Sequence, residues 1–479
     1  MRQIFDNIVM SAYNAYARKD HATQAEQALQ ALALDPQSPL ACILYFLSSW
    51  ERGAFDGASD FIRGHASKYG APGHVLLCLV VALMHQDEMH EKTFQYASRW
   101  FNSLPPDDLR KSAYDASKSE LRILRSMPLA SRSVTVGPII SELFGPIGPV
   151  KSMNHYEMCR RWAQPSYHIV RDISVLPDAW YLYDDQHIFL EETHARPQKL
   201  NELRLFVPPT SATVLARTEK TTLVNVPNHQ KIIEERCLLL GSNSNYFYWL
   251  VTHLARLKSI EGAFDMRDIP ILVDENLPPT YFDALQQLGV EDKNIIKCAP
   301  ETSVYCKELI VPTLLNSVDV LHPAGIKWLR DTFGPTERDT SYPSRAFVSR
   351  SKTHRRPFVN EGEVYARLEE LGFVKVTPDT MSFAEQNAVF QNADIVIGPF
   401  GTCLTTTMFA PESCTIFKII DATSIPVHRF IENLALQIGQ NFHCVIIENL
   451  NAEATEMSSA LYKFEIDPDR LIQQLLPHL

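Results

Sequence analysis

Ala346-Phe347-Val348-Ser349-Arg350-Ser351-Lys352-Thr353-His354-Arg355-Arg356-Pro357-Phe358-Val359-Asn360-Glu361 sets the architecture of this chain, and Ile395-Val396-Ile397-Gly398-Pro399-Phe400-Gly401-Thr402 answers it about forty residues later. In each, a short apolar run passes into a loop and then into a helix signal, the order expected of a parallel α/β sheet. Loops at the carboxyl ends of such strands are where these sheets bind ligands. The first loop carries Arg350, Lys352, His354, Arg355 and Arg356. Asn360, with Glu363 three residues on, spells an N-cap and capping box, which adds a helix's positive end to the same place. In the second, Gly398 and Gly401 let the backbone approach a diphosphate or sugar, and Thr402 can cap the helix that follows. The pair points to the phosphates of a nucleotide. Each piece also has a plainer reading, a solvated basic loop and glycines that serve turn geometry alone.

The same alternation continues on both sides. Downstream, the pattern gives a helix over 361–371, a strand over 374–376, a helix over 383–391, the strand 395–397, a helix after Thr402 and a strand over 415–419. Upstream it gives a strand at 237–240, a helix at 246–260, a strand at 269–273, a helix at 280–288 and strands near Ile295 and Leu309. The polar, turn-rich stretch 331–343 is the natural hinge between two such halves, residues 236–335 and 336–479. Residues 128–235 have a different texture, short β-rich pieces between Pro and Gly, including a meander of 172–176, 179–183 and 187–190 around Asp184-Asp185.

Residues 1–127 carry helical periodicity, with stops at Asp35-Pro36, Gly70-Ala71-Pro72 and Leu104-Pro105-Pro106, about 34 residues apart. That period fits three tetratricopeptide-like hairpins; an irregular helical bundle fits as well. Either is a docking or packing platform rather than a chemical site.

Composition narrows the function. At 479 residues the chain is long enough for about three domains, and 45% hydrophobic with 21% charged residues is the balance of a globular protein. A net charge of −11 argues against nucleic acid as the main partner. Nine cysteines without a C-x-x-C pair read as buried thiols of a reducing compartment, and no metal site is spelled out. The N-terminus lacks a signal peptide's apolar core, and the most apolar run, Val75 to Met84, is too short to span a bilayer. The expected location is the cytoplasm, with peripheral work at the inner membrane open.

Three further features sit near these loops. Asn243 to Leu257 is an aromatic, capped helix start after a strand, read as core or as a sugar platform. Gln386 could read a base or ribose, or lie on an exposed helix face. His253 and His322 have intrinsic pKa values suited to a general base, and structural or surface roles compete with that reading.

Taken in order, these motifs resemble glycosyltransferase family 61: Asn245 to Arg256, Ser349 to Glu361, Glu385-Gln386, and Gly398 to Thr406. The resemblance covers roughly Asp172 to Ile419. It implies a GT-B-like α/β fold, two Rossmann-like domains facing a cleft, here preceded by the all-α helical-repeat region and the β-rich connecting segment. It implies inverting transfer of a sugar from a nucleotide donor, usually a UDP-sugar, to a glycan or protein hydroxyl, without a cofactor or divalent metal, in bacterial-type polysaccharide synthesis. By resemblance Arg350, Asn360, Glu361, Gln386 and Gly398 to Thr402, Phe400 and Gly401 included, line the donor pocket, with Arg355 or Arg356 assisting; Asn245, Tyr248 and Arg256 fall on the acceptor side. The family often has His where Tyr248 stands, an acid near Thr252, and His-Gly where Phe400-Gly401 stands. His253 and His322 are the substitute bases, and a silent glycan- or nucleotide-binding scaffold is the alternative reading. A protein partner at the helical region completes the expectations.

Overall fold

Helices α1 (Arg2–Ala17), α2 (His21–Leu34), α3 (Pro39–Glu51), α4 (Phe55–Tyr69), α5 (His74–His85) and α6 (Glu91–Ser103) open the computed structural model. It describes residues 2–17, 20–86, 91–105, 108, 119–132, 135–136, 165–190, 213–218, 220–243, 245–316, 321–334, 339–350, 358–420, 430–450 and 463–479. Helices α2, α4 and α6 end at the three stops expected from the sequence, α4 with Gly70 at a φ of 84°. Asp20 caps α2, and Ser38 with Pro39 starts α3. Val75 to Met84 are all buried, so α5 is the core of this bundle. No helix among the described residues is long and apolar enough to cross a membrane.

The chain divides into two compact units, the first holding the described residues of Met1–Val136, His168–Cys237 and Lys297–Ile310. In it, strands β1 (Ser119–Pro128), β2 (Thr135–Val136), β3 (Tyr167–Leu176), β4 (Tyr181–Tyr183), β5 (His187–Leu190), β6 (Val214–Arg217), β7 (Thr221–Pro227), β8 (Gln230–Leu239) and, further along the chain, β11 (Ser303–Pro312) accompany the helices. The strand order is β8-β11-β3-β4-β5-β1-β7-β6, with β2 against β3. The β3-β4-β5 meander is antiparallel, as its alternation and the Asp184-Asp185 turn suggested.

The second unit holds the described residues of Gly137–Tyr167, Leu238–Ile296 and Val311–Leu479. Strand β9 (Ile271–Asp274) pairs parallel with the end of β8, and helix α7 (Pro279–Gln287) leads on to β10 (Ile295–Cys298). After α8 (Pro323–Phe333) comes a five-stranded sheet: β12 (Arg345–Val348), β13 (Val374–Val376), β14 (Ile395–Pro399), β15 (Thr415–Ile420) and β16 (Asn441–Ile446). All its pairs are parallel, in the order β13-β12-β14-β15-β16. Counted from its first strand this is 2-1-3-4-5, a doubly wound sheet that switches direction between β12 and β14. Both faces are covered. On one, Phe347, Ile397 and Phe417 pack with Val364 and Leu368 of α9 (Glu361–Glu369) and with Leu471 of α12 (Pro468–Leu475). On the other, Val348, Val396 and Ile416 pack with Phe390 of α10 (Phe383–Asn392) and Ile431 of α11 (Phe430–Ile438).

Two local expectations fail. The capping box read at Asn360 and Glu363 does not form, because the Asn360 amide turns to the Ile466 backbone, donating to its carbonyl at 2.6 Å and accepting from its N–H at 3.2 Å. A capping box forms instead at Ser382 and Glu385. The second concerns the helix at 246–260, which is a π turn over Tyr248–His253 followed by a 3₁₀ run over Leu254–Ile260. Asn316 Nδ2 takes the Val251 carbonyl at 2.5 Å, and a side chain that claims a mid-helix carbonyl shifts the hydrogen-bond ladder.

Candidate functional site

The switch point between β12 and β14 places Arg350 and Gly401 side by side. Arg350 follows β12, is 9% exposed, and its Nη1 donates to the Phe400 carbonyl at 2.8 Å. Gly401 adopts φ +154°, ψ 176°, a conformation essentially restricted to glycine. A Cβ there would lie 2.5 Å from Arg350 Nη1. Glycine at 401 is thus favoured by its backbone, and a side chain there would displace the guanidinium packed over it. Gly398 is a close-packing glycine, since a Cβ on it would sit 3.0 Å from Val348 Cβ.

Glu361, the first residue of α9, holds this corner together. Its buried carboxylate accepts the Arg350 N–H at 2.7 Å and the Ser349 hydroxyl at 2.6 Å, and it pairs with Lys375 of β13 at 2.7 Å. Three elements converge on one carboxylate. Lys375 escaped sequence reasoning: an isolated lysine in a three-residue strand looks like an ordinary surface position, and only the parallel pairing of β12 with β13 brings it to Glu361.

The other residues expected to line a donor pocket are placed as follows. Phe400 is 2% exposed and packs in the sheet's core, its ring edge-on to Phe464. Thr402 begins a 3₁₀ helix, Thr402–Phe409, whose N-cap is Gly401, with no side-chain cap. Gln386 is 4% exposed; its amide donates to the Pro378 and Met381 carbonyls, and its Oε1 accepts from Thr406 Oγ1 at 3.3 Å. Thr406 is in turn 3.4 Å from the Tyr246 hydroxyl, whose pKa burial pushes well up. A polar chain thus links α10, the 3₁₀ helix and the start of the 246–260 segment. Asn360 is committed to Ile466. Arg355, Arg356 and the rest of the basic loop from Ser351 lie outside the described residues, as does Asp421. Asp394 precedes β14, at its amino end and away from the switch point.

The residues before α8 form a separate group. Asn245 Oδ1 accepts the Phe247 N–H at 3.0 Å and starts the helical segment; Tyr248 is half-buried against Phe247. Arg256 is 1% exposed, with Nε on the Pro312 carbonyl at 2.8 Å, Nη2 on the same oxygen and Nη1 on the Leu240 carbonyl at 3.3 Å. It ties the ends of β8 and β11 to the helix. His253 Nδ1 also sits on the Leu240 carbonyl, at 3.1 Å. A carbonyl can only accept, so Nδ1 carries the proton and the ring's lone pair is on Nε2. His322 has the reverse arrangement. It caps α8, Nδ1 accepting the Ala324 N–H at 3.1 Å, and burial pushes its pKa down to about 4. Its lone pair is engaged by the cap.

Chemically, the switch-point corner offers a cation, a turn of backbone N–H groups and room made by a glycine, which suits an oxyanion at the carboxyl edge of a doubly wound sheet. No curated protein matches the chain. The family model described as Glycosyltransferase 61 matches residues 168–417, a span that runs from β3 into the first half of β15 and therefore takes in the Arg350, Gly401 and His253 positions together. On that match, which covers more than half of the 479 residues, the chain belongs to the glycosyltransferase 61 family.

Proposed function

We propose that the chain transfers a sugar from a nucleotide-sugar donor of the UDP-sugar class to a hydroxyl of a glycan or protein, with inversion and without a divalent metal. The observation that carries this reading is Arg350 fixed beside Gly401 at the switch point. A departing nucleoside diphosphate develops negative charge, and fixed donors aimed at it stabilise the transition state. Arg350 and the N–H groups of the turn at Gly401 supply those donors, while Glu361 fixes the Arg350 backbone.

His253 is the favoured base. With Nδ1 protonated on Leu240, its Nε2 takes the acceptor hydroxyl's proton as that oxygen attacks the anomeric carbon from the face opposite the diphosphate. His322 is the weaker candidate because its lone pair holds the α8 cap. Asn245, Tyr248 and Arg256 shape the acceptor side, Arg256 by holding the helix rather than by touching sugar. The helical region would present the acceptor or a partner, and we place the protein in the cytoplasm.

One observation favours a second reading, a binding scaffold without turnover: Phe400 packs into the core where the family often has His. A panel of nucleotide sugars with a hydrolysis readout separates the two. Release of UDP from at least one donor supports the transferase; UDP binding without release from any donor supports the scaffold.

A further inference from the structure

Far along the chain from the switch point, Arg217 ends the edge strand β6 of the first unit. It is 8% exposed, and two of its guanidinium nitrogens, Nε and Nη2, are buried without a hydrogen-bond partner among the described residues. The third, Nη1, donates to the Tyr181 hydroxyl at 3.1 Å, and the guanidinium lies over the Tyr181 ring, 5.6 Å from its centre. Burial lowers the pKa of Arg217, and among the described residues the Tyr181 phenol is the titratable neighbour that acts on it.

Buried charges in folded proteins are paired. Here the pairing among the described residues stops at the Tyr181 phenol, and the unpaired edge is the Nε–Nη2 fork, whose two parallel N–H bonds match the two oxygens of a carboxylate or phosphate. A second element points the same way. Thr222, the cross-strand partner of Arg217 on β7, shares a hydroxyl–hydroxyl hydrogen bond of 3.3 Å with Ser126 on β1. Two hydroxyls joined by one bond keep one hydrogen to donate. The site therefore presents a charged fork, a supporting aromatic face and a hydroxyl pair on adjacent strands.

We infer that Arg217 is the anchor of an oxyanion site, taking a carboxylate or phosphate group of a bound ligand through Nε and Nη2, distinct from the donor corner at Arg350. The inference stands whether or not the chain turns over a sugar nucleotide. It is tested on the full chain by thermal unfolding in chloride buffer, against inorganic phosphate and against glucuronate at equal ionic strength. Wild type should gain roughly 2–4 °C, saturably, with at least one of the two anions. Response to phosphate alone identifies a phosphate-bearing ligand, and response to glucuronate alone an acidic sugar. Arg217→Met should abolish the gain and Arg217→Lys, which keeps the charge but not the fork, should reduce it; if the Met variant does not fold, the Lys variant carries the comparison. A wild type indifferent to both anions, or a gain that survives undiminished in the variants, overturns the assignment.

Discussion

Glu361 accepts the backbone N–H of Arg350 at 2.7 Å, so the first residue of α9 fixes the last described residue after β12. The same buried carboxylate takes the Ser349 hydroxyl and the Lys375 ammonium. Removing one member of such a cluster leaves the others unpaired, which costs more than the contact itself. Glu361→Ala should destabilise the protein by about 3 kcal/mol, and Glu361→Gln, which keeps one acceptor, by about 1–2 kcal/mol. Urea denaturation midpoints measure both. Equal stability of all three proteins would show that the cluster does not hold the corner.

Gly401 and Gly362 make a matched pair of tests. Gly401→Ala places a methyl 2.5 Å from Arg350 Nη1 and forces an unfavourable backbone, so UDP affinity should fall roughly tenfold or more. Gly362→Ala, in α9 with open space around the new methyl, should leave affinity unchanged and stabilise by about 0.5–1 kcal/mol. Calorimetric titration and thermal melts read the two effects.

His322 predicts an acid-labile fold. Its folded-state pKa, near 4, lies below the unfolded value of 6.5, so the unfolded chain binds the extra proton between the two. The contribution is full above pH 6.5 and is lost as pH falls towards 4, by roughly 3 kcal/mol in total for this 1% exposed ring. His322→Asn keeps an acceptor for the α8 cap and removes the titration. Its stability should decline less steeply over that window than wild type's, and parallel curves would refute the assignment.

Much of the second unit was legible because its signals are local. The apolar runs that became β12 and β14 and the helix pattern that became α10 each depend on residues within a few positions of one another, as do, in the first unit, the stops at Asp35-Pro36 and Gly70. What the sequence hid depends on distant partners. Asn360 read as a helix cap, but its amide meets Ile466, 106 residues away. Arg256 and Gln386 read as residues for a sugar or a base; Arg256 spends its described hydrogen bonds on the Pro312 and Leu240 carbonyls, and Gln386 on the Pro378 and Met381 carbonyls and on Thr406, twenty residues away. The periodicity of 246–260 looked like a regular helix, and what shifts its ladder is Asn316, from a different part of the chain. Glu361 was expected in a donor pocket from its place in the motif, whereas its contacts with Arg350 and Lys375 needed the sheet.

The most direct test of the donor corner is calorimetric titration of UDP into wild type and Arg350→Ala, with thermal melts of both to confirm folding. Wild type should bind at one site per chain, and the variant should bind roughly tenfold or more weaker while remaining folded. An affinity unchanged by the substitution would contradict a nucleotide diphosphate at Arg350.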